Sequence, residues 1–250
     1  MDSRPRMNLP LQCPTSVAIV VPCYAHAAYL PETLESIAAQ SRPPNEVIFI
    51  DDCSPDNTAE IVMAFINSRS WPAGVRSQVL VTARNIGQSA SLNRAISSSS
   101  SELIMILNDD DYLMHDAVES MLAYFSRYRD VALIGANHIR FAGTNELAAA
   151  PKVSTAYAAP GLPLEIRRPD DVAGYRRAND LSMTHSGVCY FKMAWEAVGG
   201  YRAVQRERLV PYSDRDFQIR VNAVWPVAIG LHTPLAFWRT DSSVDGPLNS

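Results

Sequence analysis

The sequence predicts an α/β fold with a mostly parallel, Rossmann-like central sheet flanked by helices, followed by a mixed C-terminal part. Between residues 17 and 135, short apolar segments alternate with amphipathic ones, which is the pattern of repeated strand–helix–strand units. The apolar segments are rich in β-branched and long aliphatic residues and are too short to be buried helices. After Gly135 the alternation weakens, so the second half is expected to be less regular.

Five apolar segments are predicted strands: Val17–Val21, Val47–Ile50, Gln78–Thr82, Leu103–Leu107 and Val131–Ile134. One helix is predicted between each pair of consecutive strands. These helices begin at Pro31, at Asp56 or Asn57, at Gln88 and at Asp116. The serine run Ser97–Ser101 is interpreted as a polar helix end before the fourth strand.

The C-terminal part begins with an Ala- and Pro-rich segment, Ala142–Gly161, which is predicted to be a long connection. Structure is expected to resume with a strand at Ser186–Phe191, followed by a short helix that ends at Gly199 and Gly200. A further helix is predicted over Ser213–Val224, before two short apolar segments. The whole chain is expected to form one domain with two halves, about 17–135 and about 136–250.

Composition excludes several classes of protein. The chain of 250 residues is 47% hydrophobic and 19% charged, which is typical of a globular protein and not of a disordered one. Its 22 Lys and Arg against 26 Asp and Glu give a net charge of -4, the wrong sign for a nucleic-acid-binding surface. Because no apolar run approaches about 20 residues, no transmembrane segment is predicted.

The four cysteines are scattered and have no paired C-x-x-C spacing, so neither a disulfide framework nor a zinc site is expected. Together with the absence of a signal-peptide pattern, this favours a cytoplasmic protein with reduced thiols.

Polar residues follow the predicted strands, at the sheet edge where ligands bind in folds of this class. Asp51 and Asp52 follow the second strand, and Asn108–Asp111 follow the fourth. Carboxylates that meet at one edge repel each other, so a divalent cation carrying a diphosphate is the first hypothesis for this site. Each cluster alone is also compatible with a turn or a helix cap.

Taken together, these segments resemble those of the family 2 glycosyltransferases, which have the nucleotide-diphospho-sugar-binding GT-A fold. Seven motifs occur in the order found in that family, over nearly the whole chain. They are Val20–Tyr24, Ile50–Thr58, Asn85–Gly87 with Asn93, Leu107–Asp111, Val198–Tyr201, Ser213–Asp216 and Phe237–Arg239.

The resemblance implies an inverting, metal-dependent glycosyltransferase that uses a UDP- or dTDP-sugar and Mn²⁺ or Mg²⁺, with a carbohydrate or glycolipid as acceptor. Asp214 would be the general base, Asp110 would bind the metal, and Gly200 and Tyr201 would contact the acceptor. The nucleotide would contact Pro22, Tyr24, Asp52, Arg84, Asn85, Gly87 and Asp109.

By the same resemblance, the first half of the chain would bind the nucleotide sugar and the second half would bind the acceptor. Family analogy also suggests polysaccharide or glycoconjugate biosynthesis and peripheral contact with the inner face of a membrane, and leaves the oligomeric state open.

The sequence departs from the family pattern at several positions. Asn108 replaces the first Asp of the D-x-D motif, and Ser213 replaces the usual Glu before Asp214. Asp241 occupies the place of a metal-binding His; it is interpreted either as an oxygen ligand for the metal or as a turn residue.

Two other classes of function compete with this prediction. Asn108 and Ser213 favour a nucleotide-sugar-binding or scaffold protein that has lost turnover. The retention of Asp52, Asp110 and Asp214 together argues against it. A nucleotidyltransferase or a dinucleotide oxidoreductase would need a glycine-rich loop after the first strand, and Pro22–His26 contains no glycine.

Three aromatic side chains could stack on a sugar ring: Trp195, Tyr201 and Trp238. A core position is the commoner one for aromatics in a mixed sheet, and only Tyr201 lies in a motif with a predicted acceptor role. His185 is interpreted first as a structural histidine, with contact to a phosphate or to the acceptor as the alternative.

Overall fold

The computed structural model describes residues 9–10, 12–143, 164–169, 183–203 and 213–242. The helices in these ranges are α1 (Leu30–Ala38), α2 (Thr58–Ile66), α3 (Gln88–Ser98), α4 (Ala117–Arg127), α5 (Lys192–Ala197) and α6 (Ser213–Asn222). The strands are β1 (Val17–Cys23), β2 (Glu46–Asp51), β3 (Arg76–Val81), β4 (Leu103–Ile106), β5 (Tyr112–Leu113), β6 (Leu133–Phe141), β7 (Glu165–Arg167), β8 (Cys189–Phe191) and β9 (Val227–Arg239). Most of the predicted connection Ala142–Gly161 lies outside the described residues.

One sheet contains all of these strands, in the order β3-β2-β1-β4-β8-β6-β9-β5, with β7 paired to β9. The strands from β3 to β4 are parallel, and β6 and β9 form a long parallel pair. Strand β8 lies antiparallel between β4 and β6, and β5 and β7 are antiparallel to β9. The predicted α/β class with a mostly parallel sheet and a mixed C-terminal part is confirmed. The sheet is continuous across the predicted boundary near residue 135.

Each of the five predicted strands is present, and four of the predicted helices occur between them. The apolar stripe of α1 buries Leu34 and Ile37, and Pro31 lies in the first turn as expected. Both predicted cap candidates of α2 take part at its N-terminus. Asn57 occupies the N-cap position, and the Asp56 carboxylate accepts the N–H of Thr58 at 3.2 Å. The two apolar segments predicted near the C-terminal end are one strand, β9, whose register against β6 shifts near Asn137.

The core lies on both faces of the central strands. Strands β1, β2 and β4 are buried along their full length, as expected for parallel strands covered by helices. Helix α3 packs against β1 and β2, and α1 packs against α2. Among the described helices, none combines the length and the apolar composition needed to cross a bilayer.

The serine run has a structural role at the end of this core opposite the polar strand ends. Helix α3 ends at Ser98, and the next residues turn towards Glu46, whose side chain is 4% exposed. The Glu46 carboxylate accepts hydrogen bonds from Ser99 Oγ at 2.9 Å, from Ser100 Oγ at 2.6 Å and from the guanidinium of Arg76. Burial raises the pKa of Glu46, but these donors outweigh it and hold the pKa below its usual value of 4.5.

We expect Glu46→Gln to lower the free energy of unfolding by about 1–3 kcal/mol at neutral pH. The glutamine NH₂ group would face the serine and arginine donors that the Glu46 carboxylate now accepts from. The depressed pKa means that the contribution of Glu46 is complete above its unfolded pKa and is lost as the pH falls through the folded one. The difference in the free energy of unfolding between wild type and Glu46→Gln should therefore become smaller at acidic pH. Urea unfolding at pH 7 and near pH 3.5 measures this, with the exposed Glu60→Gln as the control. A difference that is constant with pH would contradict the role of the charge.

Candidate functional site

The polar strand ends meet at one edge of the sheet. Strand β1 lies between β2 and β4, and all three run parallel, so their C-terminal ends are neighbours. The segments that follow them are Tyr24–His26, Asp51–Ser54 and Asn108–Asp111. Such an edge is where ligands bind in open α/β sheets.

The Asp109 carboxylate is buried, with 5% of the residue exposed, and fastens the turn after β1 to the turn after β4. Its Oδ2 accepts the main-chain N–H of Tyr24 at 2.9 Å, and its Oδ1 lies 2.8 Å from Nδ1 of His26. Burial raises the pKa of Asp109, against the opposing effect of His26. Asp109 is therefore a buried acceptor that depends on a cationic partner.

His26 supplies that partner. Its Nδ1 faces Asp109 Oδ1, and its Nε2 lies 3.2 Å from the carbonyl oxygen of Ser242. Because both neighbours are acceptors, both ring nitrogens carry protons in this arrangement. Burial disfavours the imidazolium, but the hydrogen bond and the charge of Asp109 raise the pKa of His26 to about 9.

Asp110 is the least restrained carboxylate of the turn. Ser242 Oγ donates to its Oδ2, and within the described chain its Oδ1 accepts no hydrogen bond. His26, Asp109 and Asp110 each offer a ligand atom within 4.8 Å of the others, a spacing that could hold a metal ion. Since His26 is held as a cation by two acceptors, Asp110 has the free oxygen for a hard divalent cation such as Mg²⁺ or Mn²⁺. Asp110 thus offers one carboxylate oxygen to such an ion, whose remaining ligands would come from phosphate or water.

Asp111 points in another direction and is 1% exposed. Its Oδ2 accepts Ser186 Oγ at 2.5 Å and Asn108 Nδ2 at 3.3 Å, and its Oδ1 accepts the N–H of Arg239 at 2.8 Å. Burial and the negative charge of Asp110 raise the pKa of Asp111 to about 7. Asp111 thereby joins β8 and β9 to the end of β4.

Arg239 is 1% exposed, and its side chain lies beneath the surface against the turn formed by Asn108–Asp111. Its guanidinium donates to the carbonyl oxygen of Asp110 at 2.9 Å and to the carboxylate of Glu32. The rings of Tyr29 and Phe141 lie on it, each with its centroid 4.4 Å from the guanidinium carbon. Such an enclosed cation is held by charge, hydrogen bonds and cation–π contacts together.

Two residues next to this site have backbone conformations that L-residues seldom adopt. Ala25 follows β1 with φ 59°, and Cys53 follows β2 with φ 60°. Ser54 connects them, because its Oγ accepts the N–H of Ala25 at 3.2 Å and donates to Asp51 Oδ1 at 2.5 Å. Backbone strain of this kind persists where surrounding contacts enforce it, and it clusters at functional sites.

The predicted nucleotide-contacting residues converge on the same edge. Asp52 is 5% exposed, and its carboxylate accepts the N–H groups of Ile86 at 2.8 Å and Gly87 at 2.7 Å. It thus fixes the loop that contains Arg84 and Asn85, whose residues are exposed. Gly87 has φ 84°, which suits glycine, and caps α3.

At the same edge, Pro22 is buried within β1 and Tyr24 is 41% exposed.

On the predicted acceptor side, Asp214 lies in the first turn of α6, near His185 and Tyr201. Tyr201 is 4% exposed and stacks on Phe217 with ring centroids 4.5 Å apart. Its hydroxyl lies 3.4 Å from His185 Nε2 and 3.2 Å from the Tyr190 hydroxyl. Its ring therefore supports α6 from within the core rather than presenting a free face.

His185 connects the two sides of the site. Its Nδ1 lies 3.3 Å from Asn108 Oδ1, so this nitrogen donates and Nε2 accepts from Tyr201. Burial lowers the pKa of His185, although the charge of Asp214 opposes this. The neutral Asn108 amide can accept from His185 and also donate to Asp111, which an Asp at this position could not do without adding charge beside Asp111.

The Asn93 side chain fixes the loop that carries Gly200 and Tyr201. Its amide pairs with the main chain of Tyr201, accepting the N–H at 2.8 Å and donating to the carbonyl oxygen at 2.8 Å. Gly200 has φ 68°, and a Cβ there would lie 2.6 Å from Asn93 Oδ1. Arg220 of α6 completes the loop by donating to the carbonyl oxygens of Val198 and Gly200, each at 2.7 Å.

Asp241 lies outside the His26–Asp109–Asp110 cluster. Its carboxylate accepts the N–H of Gly143 at 2.9 Å, a contact between segments 98 positions apart in the chain. The next residue, Ser242, contacts the cluster instead.

His26 and Ser242 were not predicted from the sequence, since a single histidine or serine in a turn has no distinguishing pattern. The only available signal for His26 was its place after β1, at the edge where the acidic residues were expected.

Comparison with known proteins agrees with this geometry. The model of the family described as glycosyl transferase family 2 matches residues 18–193, well over half of the chain. A putative teichuronic acid biosynthesis glycosyltransferase from Bacillus subtilis is 28% identical over 108 residues, which cover 43% of this chain and 41% of the relative. A poly(ribitol-phosphate) β-N-acetylglucosaminyltransferase from Staphylococcus aureus is 29% identical over 120 residues, covering 47% of this chain and 20% of the relative. The chain thus spans less than half the length of these relatives.

Two solved structures have a similar fold. The S. aureus transferase in complex with UDP-GlcNAc superposes with a TM-score of 0.66 at 17% identity, covering 92% of this chain and 60% of that one. A mannosyltransferase from Pyrobaculum calidifontis in complex with GDP-Man and Mn²⁺ superposes with a TM-score of 0.63 at 17% identity, covering 98% and 62%. At these identities the likeness establishes the fold.

We expect Arg239→Met to lower the free energy of unfolding by about 3–5 kcal/mol, because it leaves the Glu32 carboxylate without its cation and the carbonyl oxygens of Asp110 and Gly143 without their guanidinium donor. The double variant Arg239→Met with Glu32→Gln should recover part of this loss. Urea unfolding of both variants gives the comparison, with the exposed Arg42→Met as the control. A loss no larger than that of the control would show that the enclosed guanidinium is not a principal support of the turn.

Proposed function

Because the chain belongs to glycosyl transferase family 2, we propose that it transfers a sugar from a nucleotide-diphosphate donor to an acceptor hydroxyl, with inversion at the anomeric carbon. The observation that carries this proposal is the His26–Asp109–Asp110 cluster, at the sheet edge where the loop held by Asp52 also lies. Residues 17–135 would bind the donor and residues 136–250 the acceptor.

The donor proposal rests on what the sheet edge offers. The exposed Tyr24 ring and the exposed Arg84–Gly87 loop leave an aromatic face and polar groups for a base and ribose. Asp52 would act mainly by positioning that loop, since both of its oxygens already accept main-chain N–H groups. UDP or dTDP is the proposed nucleotide; the titles of the similar structures name UDP-GlcNAc and GDP-Man.

Asp110 would hold a divalent cation, Mn²⁺ or Mg²⁺, through its free oxygen. An ion held there would supply positive charge to the diphosphate that leaves as the glycosidic bond breaks. The protonated His26 places a second positive charge beside the same turn and keeps Asp109 ionised for its bond to Tyr24. Ser242 positions both Asp110 and His26.

Asp214 would remove the proton of the attacking hydroxyl, which gives the acceptor oxygen the electron density to displace the diphosphate from the opposite face. Its place in the first turn of α6, which is held to the Gly200 loop by Arg220, gives it a fixed position. Gly200 and Tyr201 would shape the acceptor side through this loop, as buried supports of Asp214.

The biological setting is proposed by analogy with the relatives. One of them is described as a putative teichuronic acid biosynthesis glycosyltransferase, which supports a role in polysaccharide or glycoconjugate biosynthesis. A position at the cytoplasmic face of a membrane is proposed from family analogy alone. The competing candidate is a protein that binds a nucleotide sugar without turning it over. Asn108 and Ser213 are the features that favour it, and the contacts of the Asn108 amide with His185 and Asp111 give the first of these departures a structural explanation.

We expect Asp110→Asn to weaken the binding of UDP in the presence of Mn²⁺ by roughly 10- to 100-fold and to leave binding in the presence of a chelator unchanged. The reason is that the variant removes the charged oxygen proposed to hold the ion. Titration calorimetry with and without Mn²⁺ measures both affinities. The control is Asp130→Asn, which changes an exposed carboxylate in the turn between α4 and β6. Equal affinities of wild type and variant with Mn²⁺ would refute the metal assignment.

We expect Asp214→Asn to reduce turnover by roughly 10²- to 10⁴-fold, the usual cost of removing a general base, while UDP affinity stays within error of wild type. Release of nucleoside diphosphate from a panel of UDP- and dTDP-sugars with saccharide acceptors measures turnover. The same Asp130→Asn protein again serves as the control. Undiminished turnover would exclude Asp214 as the base, and an inactive wild-type protein that binds UDP would favour the binding-only candidate.

A further inference from the structure

Three side chains form a small platform on the outer part of the sheet: His138 and Arg140 of β6 and Trp238 of β9. Arg140 pairs with Trp238 in the strand register, and its guanidinium carbon lies 4.9 Å from the centroid of the indole. The His138 ring meets the indole edge-on, with the centroids 5.1 Å apart. The Trp238 residue is 37% exposed, so the expectation that this tryptophan lies in the core is wrong.

The position of the platform connects it with the candidate site. Trp238 immediately precedes Arg239, whose N–H binds Asp111, and strand alternation turns the two side chains to opposite faces. The platform face also contains Ala236, the strand partner of His138. A Cβ on Gly187 would lie 3.3 Å from the Ala236 side chain, so the His185–Gly187 turn packs on this face. His185 in this turn lies 3.4 Å from the hydroxyl of Tyr201, so the turn that packs on Ala236 also contacts the predicted acceptor side.

The charge of the platform is uncompensated in the described part of the chain. No described carboxylate forms an ion pair with Arg140, and its one hydrogen bond runs from Nε to His138 Nε2 at 3.5 Å. The N–H groups of the two terminal guanidinium nitrogens of Arg140 therefore remain available. They lie in one plane and can donate to two oxygens of the same anion. An exposed indole beside such a fork offers an apolar surface for the C–H face of a sugar or polyol.

We propose that this platform binds a glycosyl acceptor that carries a negative charge, with the carbohydrate against the Trp238 indole and its phosphate or carboxylate on the Arg140 guanidinium. The inference rests on the proposed function and adds the chemical class of the acceptor. His138 would hold Arg140 in place through the Nε contact. The charge of Arg140 would then discriminate an anionic acceptor from a neutral one of the same shape.

The test follows the indole N–H signals of the full chain by NMR, without donor or metal. The chain has four tryptophans, and Trp238→Phe identifies the signal of Trp238. Three probes are titrated separately up to their solubility limits: methyl glucuronide, glucose 1-phosphate and neutral methyl glucoside. We expect the Trp238 signal to shift with both anionic probes at lower concentration than with the neutral one.

We expect Arg140→Gln to raise the dissociation constants of the anionic probes by about two- to fivefold, as for exposed charge pairs, and to leave the neutral probe unchanged. Arg140→Lys, which keeps the charge, should retain part of the preference. The control Arg94→Gln removes an exposed arginine of α3 and should retain all of it. A response to only one anionic probe would narrow the acceptor to phosphate or carboxylate and support the proposal.

Three results would each overturn the proposed anionic-acceptor site. They are a Trp238 signal that does not shift, equal responses to anionic and neutral probes, and an unchanged preference for anionic probes in Arg140→Gln. Because neither donor nor metal is present, the result is independent of UDP binding. A platform that responds while UDP does not bind would contradict the proposed function alone.

Discussion

Three consecutive carboxylates have to lie at the end of one buried strand, and their mutual repulsion is the constraint on which the rest of the structure depends. The fold meets it by giving each of Asp109, Asp110 and Asp111 a different partner. Asp109 is paired with the imidazolium of His26, Asp110 is left nearest to the open edge, and Asp111 is enclosed by hydroxyl, amide and main-chain donors. Four elements distant in sequence, β1, β4, β8 and β9, are joined at this turn as a result.

The repeated strand–helix pattern was sufficient to predict the first half of the fold, because parallel strands buried on both faces are nearly continuous apolar runs. The second half was less predictable for a physical reason. Strand β8 has three residues and β9 has a register shift, and neither property leaves a periodic signal. Pairing partners in such strands are selected by tertiary contacts such as that between Gly187 and Ala236.

The acidic residues of the site could be located from sequence because they directly follow strands, whereas their partners could not. His26 and Ser242 lie 216 positions apart, and their relation exists only in the folded chain. The structure adds contacts of Tyr201 and Asp52 that the motifs did not indicate. Tyr201 packs on Phe217, and Asp52 accepts main-chain N–H groups of the Arg84–Gly87 loop.

The contact between Asn93 and Gly200 limits how the sequence can change. A side chain at position 200 would have to occupy the space of Asn93 Oδ1, and Asn93 cannot withdraw without releasing the main chain of Tyr201. The two positions are therefore not independent in evolution. A larger residue at 200 would require a shorter residue at 93 and a backbone change as well, because φ is 68° there and a Cβ would also lie 3.0 Å from Trp195 Nε1. No single substitution at position 200 meets these requirements. Among divergent relatives, the two positions should covary or both remain fixed.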